Sequence, residues 1–125
     1  MLFLDDDVEL RRLVGTVLRY RGYEVVVAQE LEEAGALLAC GSFDVLCTDL
    51  SLDGLDRFEV LELLSEARAA SEKLRIVVLT GSDDPGVHAA CRAHGADFVL
   101  VKQASLAPLL DIVDSWIGGR LCKAG

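Results

Sequence analysis

Residues 43–58 read F-D-V-L-C-T-D-L-S-L-D-G-L-D-R-F, an apolar run that breaks off on Asp49. Val45, Leu46 and Cys47 are too few for a helix and lack polar alternation, which predicts a strand buried on both faces. A carboxylate at the end of such a strand needs a reason. Asp is rarely buried without a partner, and a turn former such as Gly or Asn would end the strand more simply. The plain alternative is that Asp49 only opens the loop 50–56. The other strand ends of the chain decide between the two.

Upstream, Leu2, Phe3 and Leu4 make a short strand that stops at Asp5, Asp6 and Asp7. Leu10, Leu13, Val14, Val17 and Leu18 then recur at the spacing of an amphipathic helix, with Arg11, Arg12 and Arg19 outside the stripe and Gly22 at its end. Residues 24–28, with three successive valines, predict a second strand, and Leu31, Ala34 and Leu38 a second helix closed by Gly41. Downstream, Asp56 is placed to cap a helix carrying Val60, Leu61, Leu63 and Leu64. A strand over 76–79 ends at Thr80 and Gly81. Val87, Ala90 and Cys91 mark a short helix running to Gly95, residues 98–101 a fifth strand, and Leu106, Leu109, Leu110, Val113 and Ile117 a last helix stopped by Gly118 and Gly119. Five strand–helix units with almost wholly apolar strands require an α/β fold: a doubly wound parallel sheet with right-handed crossovers and helices on both faces.

At 125 residues the chain suits one compact domain, here 1–119 with a tail at 120–125, large enough to bury a core without staples. An apolar share of 52% with 26% charged residues is that of a folded protein. The net charge of -9 argues against a nucleic-acid or anionic-membrane partner and for proteins or cations. Residues 1–7 hold too short an apolar run for a signal peptide or a membrane span, so a cytoplasmic location is expected. Cys40, Cys47, Cys91 and Cys122 form no C-x-x-C pair. The first three fall on apolar positions and are expected to be reduced core thiols, and His88 and His94 to be surface or helix-end residues.

In an open parallel sheet, ligands bind beyond the carboxyl ends of the strands. Those ends carry Asp5, Asp6 and Asp7 after strand one, Asp49 after strand three, Thr80 after strand four and Lys102 after strand five. Each has a plain explanation alone: a helix cap for Asp7, a strand-favouring residue for Thr80, a solvated strand end for Lys102. Together they point to a site. Carboxylates from neighbouring strands repel one another unless a cation lies between them, and hard oxygen donors with room for water suit Mg²⁺. A carboxylate beside that ion, with an ammonium and a hydroxyl converging on it, is a geometry for receiving a phosphoryl group, with Asp49 as nucleophile.

L-D-D-D-V-E-L-R, D-V-L-C-T-D-L-S-L-D-G-L-D, I-V-V-L-T-G and G-A-D-F-V-L-V-K, in that order and at compatible spacing, resemble the receiver domain of two-component response regulators over nearly the whole chain. The resemblance implies the flavodoxin-like (βα)5 fold with strand order 2-1-3-4-5. It implies Mg²⁺ held by Asp6, Asp49 and the backbone carbonyl of Ser51, with Asp5 acting through water. Asp49 is then the phosphoacceptor, Lys102 its partner and Thr80 the hydroxyl that turns toward it. The implied partner is a sensor histidine kinase or phosphotransfer protein, with a homodimer or an output domain as further associations; the domain catalyses only its own phosphorylation and dephosphorylation. The chain departs from the family pattern at Asp53, Arg57 and Gln103, and the usual aromatic position on strand five is Val99. Two other readings compete: a receiver-like docking or dimerisation module that is not phosphorylated, and a haloacid-dehalogenase-like phosphatase using Asp5 and Asp7.

Overall fold

The computed structural model describes residues 1–41, 43–50, 57–102 and 107–118. Five parallel strands, β1 (Leu2–Leu4), β2 (Val26–Ala28), β3 (Val45–Asp49), β4 (Arg75–Thr80) and β5 (Phe98–Val101), lie in the order β2-β1-β3-β4-β5. Between and after them come α1 (Val8–Tyr20), α2 (Leu31–Cys40), α3 (Arg57–Ala70), α4 (Pro85–Ala93) and α5 (Ala107–Val113), the last continued by a π-helical turn, Asp114–Gly118. The expected order and layering are those observed.

Alternation along each strand sorts the core onto two faces. Leu2, Leu4, Leu46, Ile76, Val78 and Val99 pack with α2, α3 and α4 through Ala34, Val60, Leu64 and Cys91. On the other face Phe3, Val45, Cys47, Val77 and Leu79 meet Val14 and Leu18 of α1 and Leu109 and Val113 of α5. The three central strands are therefore apolar on both sides, and each such buried side chain contributes about 1.5–3 kcal/mol over its exposed state.

Helix ends follow local chemistry. The Asp7 carboxylate accepts from the N–H groups of Glu9 and Leu10 at 3.0 and 3.2 Å, and Asp84 caps α4 ahead of Pro85. Gly22 and Gly95 stop α1 and α4 at φ 93° and 113°. In each case the next residue's N–H reaches back to the helix, Tyr23 to Leu18 and Ala96 to Cys91, which closes a Schellman motif.

Three details differ from expectation. β2 is shorter than 24–28, because the β1 ladder it edges offers only Leu2–Leu4 as partners. Cys40 is exposed while Cys47 and Cys91 are buried; it lies two residues past Leu38 and hence about 200° around the helix from it. The last helix does not run on as a regular α-helix: Ser115 Oγ donates to the Ile112 carbonyl at 2.7 Å, and Asp114 is held by Tyr23 and Arg21 where the wider turn begins. Asp56, Cys122 and the tail lie outside the described residues. Among those described, no helix is long and apolar enough to cross a membrane.

Candidate functional site

Sheet register brings the polar strand ends to one edge. Leu4 is opposite Thr48, Asp49 opposite Leu79, and Thr80 opposite Val101, so Asp5, Asp49, Thr80 and Lys102 all leave the sheet at the same level. Asp5 is fully buried, Asp49 and Thr80 nearly so, and Asp6 is half-buried. One carboxylate oxygen from each of Asp5, Asp6 and Asp49 lies within 4.8 Å of the others. Ser51, Asp53 and Gln103 lie outside the described residues.

Lys102 crosses this cluster. Its Nζ donates to Asp49 Oδ2 at 3.0 Å and to Asp5 Oδ2 at 3.3 Å, with 33% of the side chain exposed. The backbone explains the reach, since the Lys102 N–H donates to the Thr80 carbonyl at 2.7 Å and so extends the β4–β5 ladder one residue past β5. Burial works against the ammonium, yet the hydrogen bond and charge of Asp49, with those of Asp5, outweigh it and raise the Lys102 pKa. Asp5 is raised as well. Desolvation is the main cause and the Asp49 charge adds to it, against the Asp7 N–H and Lys102, which favour the carboxylate. Beneath the cluster the buried Cys47 thiol is pushed well up, first by desolvation and then by Asp5 and Asp49, so it is an inert core group.

The Thr80 hydroxyl accepts the Ser82 N–H at 3.1 Å and is thereby engaged with the β4–α4 loop. That loop is tied again at its far side, where His88 Nε2 lies 2.7 Å from the Ser82 carbonyl and so acts as donor. His88 is thus a half-buried loop anchor rather than a free surface residue, while His94 is the C-cap of α4 as expected. Asp7 is engaged in capping α1, which separates it from the three clustered acids. Sequence reading missed His88 and also Arg11, whose Nη1 donates to the Asp5 carbonyl at 2.7 Å. For Arg11 the available signal was its place one turn after Asp7, off the apolar stripe and on the side of the strand end.

Three hard carboxylate oxygens at this spacing form a donor set suited to Mg²⁺, which keeps several waters and takes few protein ligands. The ammonium bridging two of them supplies a second cation at the edge of the pocket.

Comparison with known proteins agrees with this geometry. The model of the response regulator receiver domain matches residues 1–114. Response regulator MprA of Mycolicibacterium vanbaalenii is 34% identical over 110 residues, which cover 88% of this chain and 46% of MprA. The chain thus spans less than half the length of such curated relatives. Among solved structures, response regulator TrrA from Thermotoga maritima in complex with Mg²⁺ and BeF superposes with TM-score 0.78 at 27% identity, covering 92% of this chain and 96% of that one. A response regulator from Burkholderia pseudomallei with a phosphorylated aspartic acid, calcium ion and citrate gives TM-score 0.78 at 28% identity, covering 87% of this chain and 62% of that one. With the family pattern running through all five strands and the acidic edge they build, the chain belongs to the response regulator receiver domain family.

Proposed function

We propose that this domain accepts a phosphoryl group on Asp49 from a phosphohistidine of a sensor histidine kinase or phosphotransfer protein in the cytoplasm. The observation that carries the reading is Lys102 Nζ held between Asp49 and Asp5 beside a third carboxylate, Asp6. A relative with a phosphorylated aspartic acid and another in complex with Mg²⁺ and BeF support it.

Asp5, Asp6 and Asp49, with the Ser51 carbonyl, are the residues proposed to hold Mg²⁺, Asp5 acting through water. When bound, the ion supplies neutralisation of charge on the transferring group. The chain's own residues do the rest. An Asp49 carboxylate oxygen attacks phosphorus in line; the P–O bond forms as the P–N bond breaks, and the bonding pair leaves with the donor imidazole. Lys102 moves from the carboxylate to the incoming phosphoryl oxygens, a short step for a flexible point charge. Thr80 gives up the Ser82 N–H and donates its hydroxyl to a phosphoryl oxygen. The β4–α4 loop follows, and that face then favours a different protein partner by population shift.

Incubation with acetyl phosphate and Mg²⁺, followed by intact mass, tests the reading. Wild type is expected to gain one phosphoryl group, Asp49→Ala none, and Lys102→Ala to gain it slowly. Retention of the gain in Asp49→Ala would move the acceptor elsewhere, and no gain in wild type would favour a docking module.

A further inference from the structure

Asp5 has every polar group engaged. Its N–H donates to the Ala28 carbonyl at 3.2 Å, Oδ1 accepts the Asp7 N–H at 2.9 Å, and Oδ2 accepts Lys102. Its carbonyl is the exception to strand logic, because the β1–β3 ladder ends with Leu4 opposite Thr48. Arg11 takes that carbonyl, with Nη1 at 2.7 Å. The Arg11 N–H also donates to the Asp7 carbonyl at 3.0 Å, in the first turn of α1. One residue therefore grips the chain on both sides of Asp6, through its side chain before and its backbone after.

We infer that Arg11 is a positioning residue for the cation pocket: it fixes the β1–α1 turn so that the Asp5 and Asp6 carboxylates converge on Asp49. The inference rests on the Mg²⁺ reading above. Two other roles for Arg11 make different predictions. If the guanidinium mattered only as a positive charge near the acids, its removal would tighten cation binding, since one repulsive charge is gone. If it mattered only for folding, its removal would lower the melting temperature and leave the affinity of the folded protein unchanged. A positioning role loosens Mg²⁺ binding despite the loss of positive charge, because a carboxylate turned away is a lost ligand.

Mg²⁺ titration by calorimetry on the folded chain separates these. Arg11→Ala and Arg11→Met, the latter keeping the apolar stem, are expected to bind Mg²⁺ about 10-fold more weakly, in the manner of residues that orient metal ligands. Arg11→Lys should recover part of the loss, since an ammonium can also donate to a carbonyl. Arg12→Ala, the exposed neighbour, controls for charge and should bind as wild type or slightly tighter. Should Arg11→Ala not fold, Arg11→Met carries the test. Unchanged or tighter binding in a folded Arg11 variant overturns the inference while leaving the metal reading intact. No Mg²⁺ binding by wild type removes the metal reading, and the inference with it.

Discussion

Arg68 at one end of the sheet and Lys102 at the other are used in opposite ways. At the amino ends of the strands Arg68 donates to the carbonyls of Glu72, Leu74 and Gly95 and to Asp97 Oδ2, at 3.0, 2.7, 3.0 and 2.8 Å. Asp97 also accepts the Ile76 N–H at 2.8 Å. Donors and acceptors match there, tying the end of α3 to the start of β4 and the α4–β5 turn. At the carboxyl ends Lys102 serves two carboxylates that lie beside a third, so like charges are gathered in one pocket. The first arrangement stabilises a fixed geometry. The second brings like-charged groups together, at a cost in stability, in the place where the proposed reading puts a cation and a phosphoryl group.

The largest expected effect breaks this contrast at Arg68. Arg68→Ala strips partners from several partly buried carbonyls and from Asp97, and should cost about 3 kcal/mol of unfolding free energy in a urea titration. Lys102→Ala should cost about 1 kcal/mol, because its side chain is one-third exposed and a solvent cation can take its place. Mg²⁺ should therefore restore much of the stability of Lys102→Ala and none of that lost in Arg68→Ala. Equal rescue of both variants would show that the two ends are not differently built.

Next in size is the turn packed against Arg68. A Cβ on Gly95 would lie 2.9 Å from Arg68 Cβ, whereas one on Gly22 would meet nothing within 4 Å. Both glycines hold positive φ. Gly22→Ala is thus expected to lose about 1 kcal/mol from backbone strain alone, and Gly95→Ala about 2 kcal/mol, as contact adds to strain. Equal losses would mean that Arg68 yields without resistance.

The charged end has its own pH signature. The Asp5 pKa is raised in the folded state, chiefly by desolvation, so its contribution to stability is fully present below the unfolded value of 3.8 and is lost as pH rises through the folded one. The melting temperature of wild type relative to Asp5→Asn should therefore rise as pH falls from neutrality toward 4. Lys102 has the same sign at the opposite end of the pH scale. Its raised pKa keeps its contribution below 10.5 and removes it only as pH climbs beyond, so it leaves the acid limb unaffected. A wild-type advantage that shrinks on acidification would show that Asp5 is better stabilised as a carboxylate than its burial allows.

How much of this was legible in sequence depends on the range of the interaction. Strand count, order of elements and the pocket acids were readable because apolar runs and their abrupt ends are local, and the strand order came with the family resemblance. The four groups at the sheet edge were likewise placed together by the rule for open parallel sheets. Arg11, His88 and Arg68 were not, because each acts by donating to a main-chain carbonyl, and no residue type marks a carbonyl that lacks a partner. Cys40 misled for a related reason: α2 is apolar nearly all round, so composition hid which side faces solvent.

The smallest expected effect concerns how a change at Thr80 leaves the site. Val99 is buried among the residues that contact α4, and Phe98, on the opposite face of β5, lies with its ring 6.1 Å from Trp116. Neither side chain is arranged to swing into space left by Thr80: Val99 is β-branched, stiff and already in the core, and Phe98 points away. On the proposed phosphoacceptor reading, the response is expected to travel through the β4–α4 loop, where the Ser82 N–H donates to Thr80 and the Ser82 carbonyl accepts from His88. Amide exchange with and without beryllofluoride and Mg²⁺ should show protection changes over 82–93 and little over 98–101. His88→Ala should raise exchange in the loop of the unmodified protein by a few-fold, since an anchor worth about 1 kcal/mol is gone, and so shrink the further change on activation. Changes spread evenly over β5, or a loop indifferent to His88→Ala, would show that strand five carries the signal after all.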